Sequence, residues 1–127
     1  MGKINSKQKG KVGERQVAEL IRKYGFEARR SAQYCGNTGD AADITSSLPY
    51  HIEVKHQERL EIDKWWEQAV HDSKGKEPIL VFRKNRQRWR VCMDFEHFLS
   101  LMKNVLATAD DNGKIDLTED SDENRVD

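Results

Sequence analysis

The chain has 127 residues, 36% of them hydrophobic and 35% charged, which suits one domain with a modest core and an ionic surface. No apolar run approaches the roughly 20 residues needed to span a bilayer, so no membrane association is expected. The formal net charge of zero conceals an asymmetry: from Ala109 onward eight acids face two bases, a net of −6, which leaves +6 on residues 1–108. A positive body with an acidic tail points to a polyanionic partner or to a solubilising tail.

In chain order, residues 1–10 are polar and basic (Lys3, Lys7, Lys9) and read as an arm or a first helical turn. The first six residues fit the loose Met-Gly-x-x-x-Ser acylation pattern but lack the apolar segment of a signal peptide. Val12, Val17, Leu20, Ile21 and Tyr24 recur near the 3.6-residue period of a helix, with Gly25 as its stop. Phe26 to Ser31 reads as a short strand, and Ala32 to Asp40 as a loop rich in Gly, Asn and Thr. Ala42 to Ser46 and His51 to Lys55 read as two strands joined around Ser47-Leu48-Pro49-Tyr50.

A helix is predicted over Asp63 to Lys74, capped by Asp63 and closed by Gly75. Pro78 to Arg83 and Gln87 to Met93 read as a hairpin around Lys84-Asn85-Arg86. Asp94 is placed to cap a last helix with the apolar stripe Phe95, Phe98, Leu99, Met102, Val105 and Leu106. The order is αβββαββα, a mixed α/β domain over residues 1–108 with a central sheet flanked by helices; residues 109–127 read as an acidic disordered tail. Cys35 and Cys92 form no CxxC or Cys/His zinc pattern, which is the usage of a reduced cytoplasmic protein.

The spacing of the central strands carries the chemistry. With the turn centred on Leu48, residues whose numbers sum to 96 lie opposite one another, and Asp43 and Glu53 are such a pair. Opposed residues share a face at a Cβ separation of about 4.5–5.5 Å. Glu53 and Lys55, two apart on one strand, share that face as well. Two carboxylates and an ammonium therefore converge, with Ile52 and Val54 on the opposite side. Adjacent carboxylates repel, and a divalent cation such as Mg²⁺, which prefers carboxylate oxygens, relieves that repulsion. Taken alone, an acid-x-Lys pair on a strand is more often a solvated sheet face.

Asp43, nine intervening residues, then Glu53-Val54-Lys55 resembles the motif of the PD-(D/E)xK nucleases. The resemblance is closest to the archaeal-type Holliday junction resolvases, which also occur in phages. It covers roughly residues 8–100 in the same element order, although Ala42 stands where the motif has proline. The resemblance implies a restriction-endonuclease-like fold and a metal-dependent DNA endonuclease using Mg²⁺, with Mn²⁺ as a substitute. Asp43, Glu53 and Lys55 become its catalytic residues, with Glu14 on the first helix as a further catalytic acid and metal ligand beside Asp43 and Glu53. Arg29, Arg30 and Ser31 match a basic, small-residue segment of the family, and Gln68 matches a glutamine on the helix after the motif lysine.

DNA contacts are expected from Lys11, Arg29, Arg30, Ser31, Gln68, Arg83, Lys84 and Arg86, the cations supplying sequence-independent affinity. Trp65 and Trp66 are candidates for stacking on exposed bases, with at least one of them expected in the core. Asp40 is a second acid near the centre, and His51 shares the face of Glu53. The resemblance further implies a branched DNA substrate, a homodimer making paired symmetric nicks, and a role in DNA recombination and repair in the cytoplasm of a prokaryotic or phage-infected cell. Two alternatives stand beside it: a nicking or restriction-like nuclease on duplex or damaged DNA, and a non-catalytic DNA-binding protein.

Overall fold

The computed structural model describes residues 6–31 and 42–108. The expectations for the N-terminal five residues, for Asp40 and its glycine-bearing loop, and for the acidic tail fall outside this range. The chain divides into two compact units, Met1–Met93 and Asp94–Asp127.

The first unit contains α1 (Ser6–Lys23), β1 (Ala28–Arg30), β2 (Ile44–Ser46), β3 (Tyr50–His56), α2 (Ile62–Ser73), β4 (Glu77–Arg83) and β5 (Arg90–Cys92); the second contains α3 (Phe95–Thr108). The order is the expected αβββαββα. The strands form one sheet in the order β1-β2-β3-β4-β5. Only β3 and β4 are parallel; the other neighbours run antiparallel. A parallel pair needs a crossover, and α2 supplies it.

Each face of the sheet has its own helix. Val17 and Ala18 of α1 pack with Ala28, Ile44, Ile52 and Val54 in one cluster. Trp65 of α2 packs with Leu80 and Phe82 in the other. Since successive strand residues point to opposite faces, the pairing of Glu53 with Leu80 and Lys55 with Phe82 puts both on the α2 face. Strand β3 is therefore covered on both sides: His51, Ile52, Glu53 and Val54 are all buried. A strand with a single apolar face was expected, and the polar face turns out to be interior too.

The first helix differs from its predicted stripe. It begins at Ser6, its inward residues are Gly13, Val17 and Ala18, and Tyr24 lies beyond its end, 73% exposed. Gly13 explains the rotation, since an added Cβ there would stand 3.1 Å from His56 Cβ and 3.4 Å from the Trp89 ring. Small residues let the helix come down close to the sheet. At the far end Gly25, with φ +95°, ends α1 as expected, and the Phe26 N–H donates back to the Ile21 carbonyl.

The expected cap of α2 is also corrected. Glu61, not Asp63, occupies the N-cap position and makes no side-chain capping bond. Asp63 lies in the first turn, where its charge favours the positive end of the helix dipole. The β4–β5 hairpin is centred on Arg86, whose φ of 65° turns the chain. Its second strand starts only at Arg90 because Trp89 packs against the α1-side core and against His56 instead of joining the ladder. In the second unit the Asp94 carboxylate accepts the His97 N–H at 3.0 Å, the expected cap of α3.

Gly13→Leu should lower the melting temperature sharply, because it forces a side chain between α1 and the His56–Trp89 pair. Overpacking of this kind costs about 1–3 kcal/mol. Thermal unfolding measures it, and a melting temperature equal to or above wild type would contradict the close approach.

Candidate active site

The register that fixes the site is the one read from the spacing. Ile44 pairs with Ile52, and Ser31 N–H donates to the Asp43 carbonyl while Asp43 N–H donates to that of Ile52. Asp43 directly precedes β2, and its N–H points to the Ile52 carbonyl, one residue off that register, while its carboxyl still reaches Glu53. Its Oδ2 accepts the main-chain N–H of Val54 at 2.8 Å, so a side chain takes a place that a strand carbonyl would otherwise fill. This bond locks the carboxylate onto β3.

The Asp43 and Glu53 carboxyls lie close enough to interact, and two ionised carboxylates so placed can only accept hydrogen bonds and repel one another. Burial, first, and the charge of Glu53, second, push the Asp43 carboxyl up to about 8, while the Val54 N–H works in the opposite direction. The pair thus carries one proton near neutral pH. Glu53 is only 5% exposed, and its Oε2 lies 3.2 Å from His51 Nε2, itself 1% exposed.

Lys55 shares the face of Glu53 by alternation and is half-buried. Among the described residues it makes no ion pair. Glu14 is ion-paired from the neighbouring strand: its Oε1 accepts Arg30 Nε at 2.8 Å. Its charge still helps raise the Asp43 carboxyl. Arg30 is held by that ion pair, whereas Arg29 is exposed on the opposite face of β1. Ser31 is linked to Thr45 through their hydroxyls at 2.9 Å. Ser31 extends the row of Asp43 and Glu53, and Arg29 and Thr45 form the next row with His51.

The remaining expected DNA contacts are dispersed. Lys11 on α1, Gln68 on α2 and Arg86 are exposed, and Lys84 is half-buried. Arg83 is turned inward: it donates to Gln16 Oε1 at 2.9 Å and to the Gln87 carbonyl, and its guanidinium lies 4.9 Å over the Trp89 ring. Trp65 is buried in the core at 3% exposure, as expected of at least one of the pair, and Trp66 packs beside it half-buried.

The sequence places His51 on the face of Glu53 and offers no signal that singles out Thr45. The alternation that placed Lys55 with Glu53 also places His51 there. What the sequence did not carry was that this face would be interior, which turns a neighbouring polar side chain into a partner.

A divalent cation suits the acid pair. Mg²⁺ is commonly held by one or two carboxylates, with water and substrate phosphate completing its shell. Asp43 and Glu53 supply two, and their shared proton marks a place where positive charge is missing. Among the described residues no group of three or more His, Cys, Asp and Glu is gathered to hold a metal.

A family model described as "Phage putative PDDEXK endonuclease" matches residues 5–127. The chain belongs to this family. As read from the sequence, the PD-(D/E)xK signature of such enzymes falls at Asp43, Glu53 and Lys55, with Ala42 where the motif has proline. Among curated proteins it is similar to Protein D14 of Escherichia phage T5, 28% identical over 117 residues and covering 72% of each chain. Among solved structures it is similar to Hjc, a Holliday junction resolvase of Archaeoglobus fulgidus, with a TM-score of 0.49 and 27% identity over 63% of this chain and 72% of that one. No helix among the described residues is long and apolar enough to cross a membrane.

The shared proton links stability to pH. Because the folded state holds a proton on Asp43 that the unfolded chain releases near pH 4, metal-free stability falls as pH rises from about 4 to about 8. Asp43→Asn keeps the shape and removes the titration. In EDTA the variant should melt several degrees above wild type at pH 8 and much closer to it at pH 4. Thermal melts at both pH values check this; a constant difference would refute the shared proton.

Proposed function

We propose that this phage-type endonuclease is a metal-dependent, structure-selective DNA nuclease that resolves four-way junctions by paired symmetric nicks. The observation that supports the catalytic part is the Asp43–Glu53 pair, Glu53 buried and Asp43 half-buried, with Lys55 on the face of Glu53. Asp43 and Glu53 would hold Mg²⁺, or Mn²⁺ in its place. When bound there, the cation would polarise a phosphodiester and activate water for attack on phosphorus.

The chain's own groups divide the remaining work. The Val54 N–H fixes the Asp43 carboxylate in place. The Lys55 ammonium, uncommitted to an acid among the described residues, would offset negative charge developing on the phosphate or orient the attacking water. Glu14, its Oε1 committed to Arg30, would contribute through the field it adds at Asp43. Arg29, exposed on the side of the sheet that carries Glu53, would engage a phosphate next to the scissile one, with the Ser31 and Thr45 hydroxyls lining its approach. Lys11, Gln68, Lys84 and Arg86 would meet the flanking arms of the DNA.

Junction selectivity rests on the sequence resemblance to archaeal-type resolvases, which combines Glu14, Arg29-Arg30-Ser31, Asp43, Glu53-Val54-Lys55 and Gln68 in one order. Resolution by paired nicks requires two active sites related by a two-fold axis, hence a homodimer. Action on a recombination or repair intermediate in the infected cell's cytoplasm follows from that substrate.

Cleavage of an end-labelled four-way junction by wild type and by Glu53→Gln, with Mg²⁺ and with EDTA, tests the reading. Symmetric nicks are expected only for wild type with Mg²⁺, and the variant should lose at least about 100-fold in rate, since the cation loses a ligand. Equal cutting of linear duplex would retain the nuclease and discard junction selectivity. Binding without cleavage under any divalent metal would overturn the catalytic reading.

A further inference from the structure

We infer that His51 is a positioning residue for the metal-holding carboxylates, acting through Glu53; the inference rests on the reading of Asp43 and Glu53 as the cation site. His51 lies two residues before Glu53 on β3, so both side chains project from one face of the strand. Its Nε2 is 3.2 Å from Glu53 Oε2, and the two side chains are 1% and 6% exposed. An ionised Glu53 accepts this bond from the tautomer that carries its proton on Nε2.

Packing alone gives no reason for a histidine there. The neighbours across β4 on this face are Pro78 and Leu80, and a central strand position buried to this degree favours Val, Ile or Phe. Burying an imidazole costs free energy unless its polar atoms are satisfied. The bond to Glu53 satisfies Nε2 and also acts on the carboxylate.

Glu53 is held from two directions: by His51 along its own strand and by Asp43 from the facing strand. With a cation held by Asp43 and Glu53, the tie to His51 would remain and keep one Glu53 oxygen anchored. Pre-orienting a ligand carboxylate in this manner saves the rotamer entropy that binding would otherwise cost, and loss of such supporting bonds weakens metal affinity by about 10–100-fold.

The test is Mn²⁺ affinity, read by the paramagnetic signal of free Mn²⁺, for wild type, His51→Leu, His51→Asn and His51→Gln. Leu fills the space without a donor, and Asn keeps polarity but falls short of Glu53. Gln carries an amide N–H the same number of bonds from the backbone as Nε2. Circular dichroism and duplex DNA binding in EDTA report whether each variant is folded. Leu and Asn should bind Mn²⁺ about 10-fold more weakly than wild type, and Gln within about 3-fold of it.

If Leu destabilises the sheet, Asn against Gln carries the same comparison. Wild-type affinity in Leu or Asn, or a loss in Gln equal to theirs, would overturn the role of His51 and leave the cation site standing. Absence of Mn²⁺ binding by wild type would overturn the cation site and this inference with it.

Discussion

Two carboxylates held side by side, away from water, are the constraint on which the rest of this molecule depends. Separate charges so close repel strongly in a partly dehydrated site, and the chain keeps them together with a proton on Asp43. Holding that arrangement takes a rigid frame. The Val54 N–H pins one acid, His51 pins the other, and β3 lies between packed layers on both faces. A site assembled at a cost to stability is the usual signature of function, since packing alone would choose apolar residues there.

The frame follows from how the sheet is divided. Helix α1, brought close by Gly13, covers β1 and β3 on one face, and α2 covers β4 and β3 on the other. The row of Ser31, Asp43 and Glu53 runs toward β1, away from the Trp65–Leu80–Phe82 cluster. Exposed Arg29 and Thr45 lie beside that row. A polyanion approaching Asp43 from this side, as proposed, would meet a cation and hydroxyls beside the acids, which would temper their repulsion.

Much of this was legible in the residues. The period of two from His51 to Lys55 and a turn about Leu48 predict the Ile44–Ile52 register, and with it the meeting of Asp43 and Glu53. The element order was legible for a similar reason, since glycines and polar turns punctuate it cleanly. The stripe of α1 was not, because helical periodicity scores Leu20 and Tyr24 as apolar and cannot see that Gly13 is the point of closest approach. The cap of α2 was misplaced by one turn signal: Asp63 has cap chemistry, but the helix begins before it. Arg83 read as a surface cation, while a distant Gln16 and the Trp89 ring draw it inward. Partners 67 residues apart leave no local trace.

The central claim is that a cation displaces the proton that Asp43 and Glu53 share. Calorimetry of Mg²⁺ binding at pH 7 in buffers of different ionisation enthalpy counts the protons released. Since Asp43 is held near 8, uptake at pH 7 should expel close to one proton per chain, falling toward none at pH 9.5. Mg²⁺ uptake with no proton release at pH 7 would contradict the account.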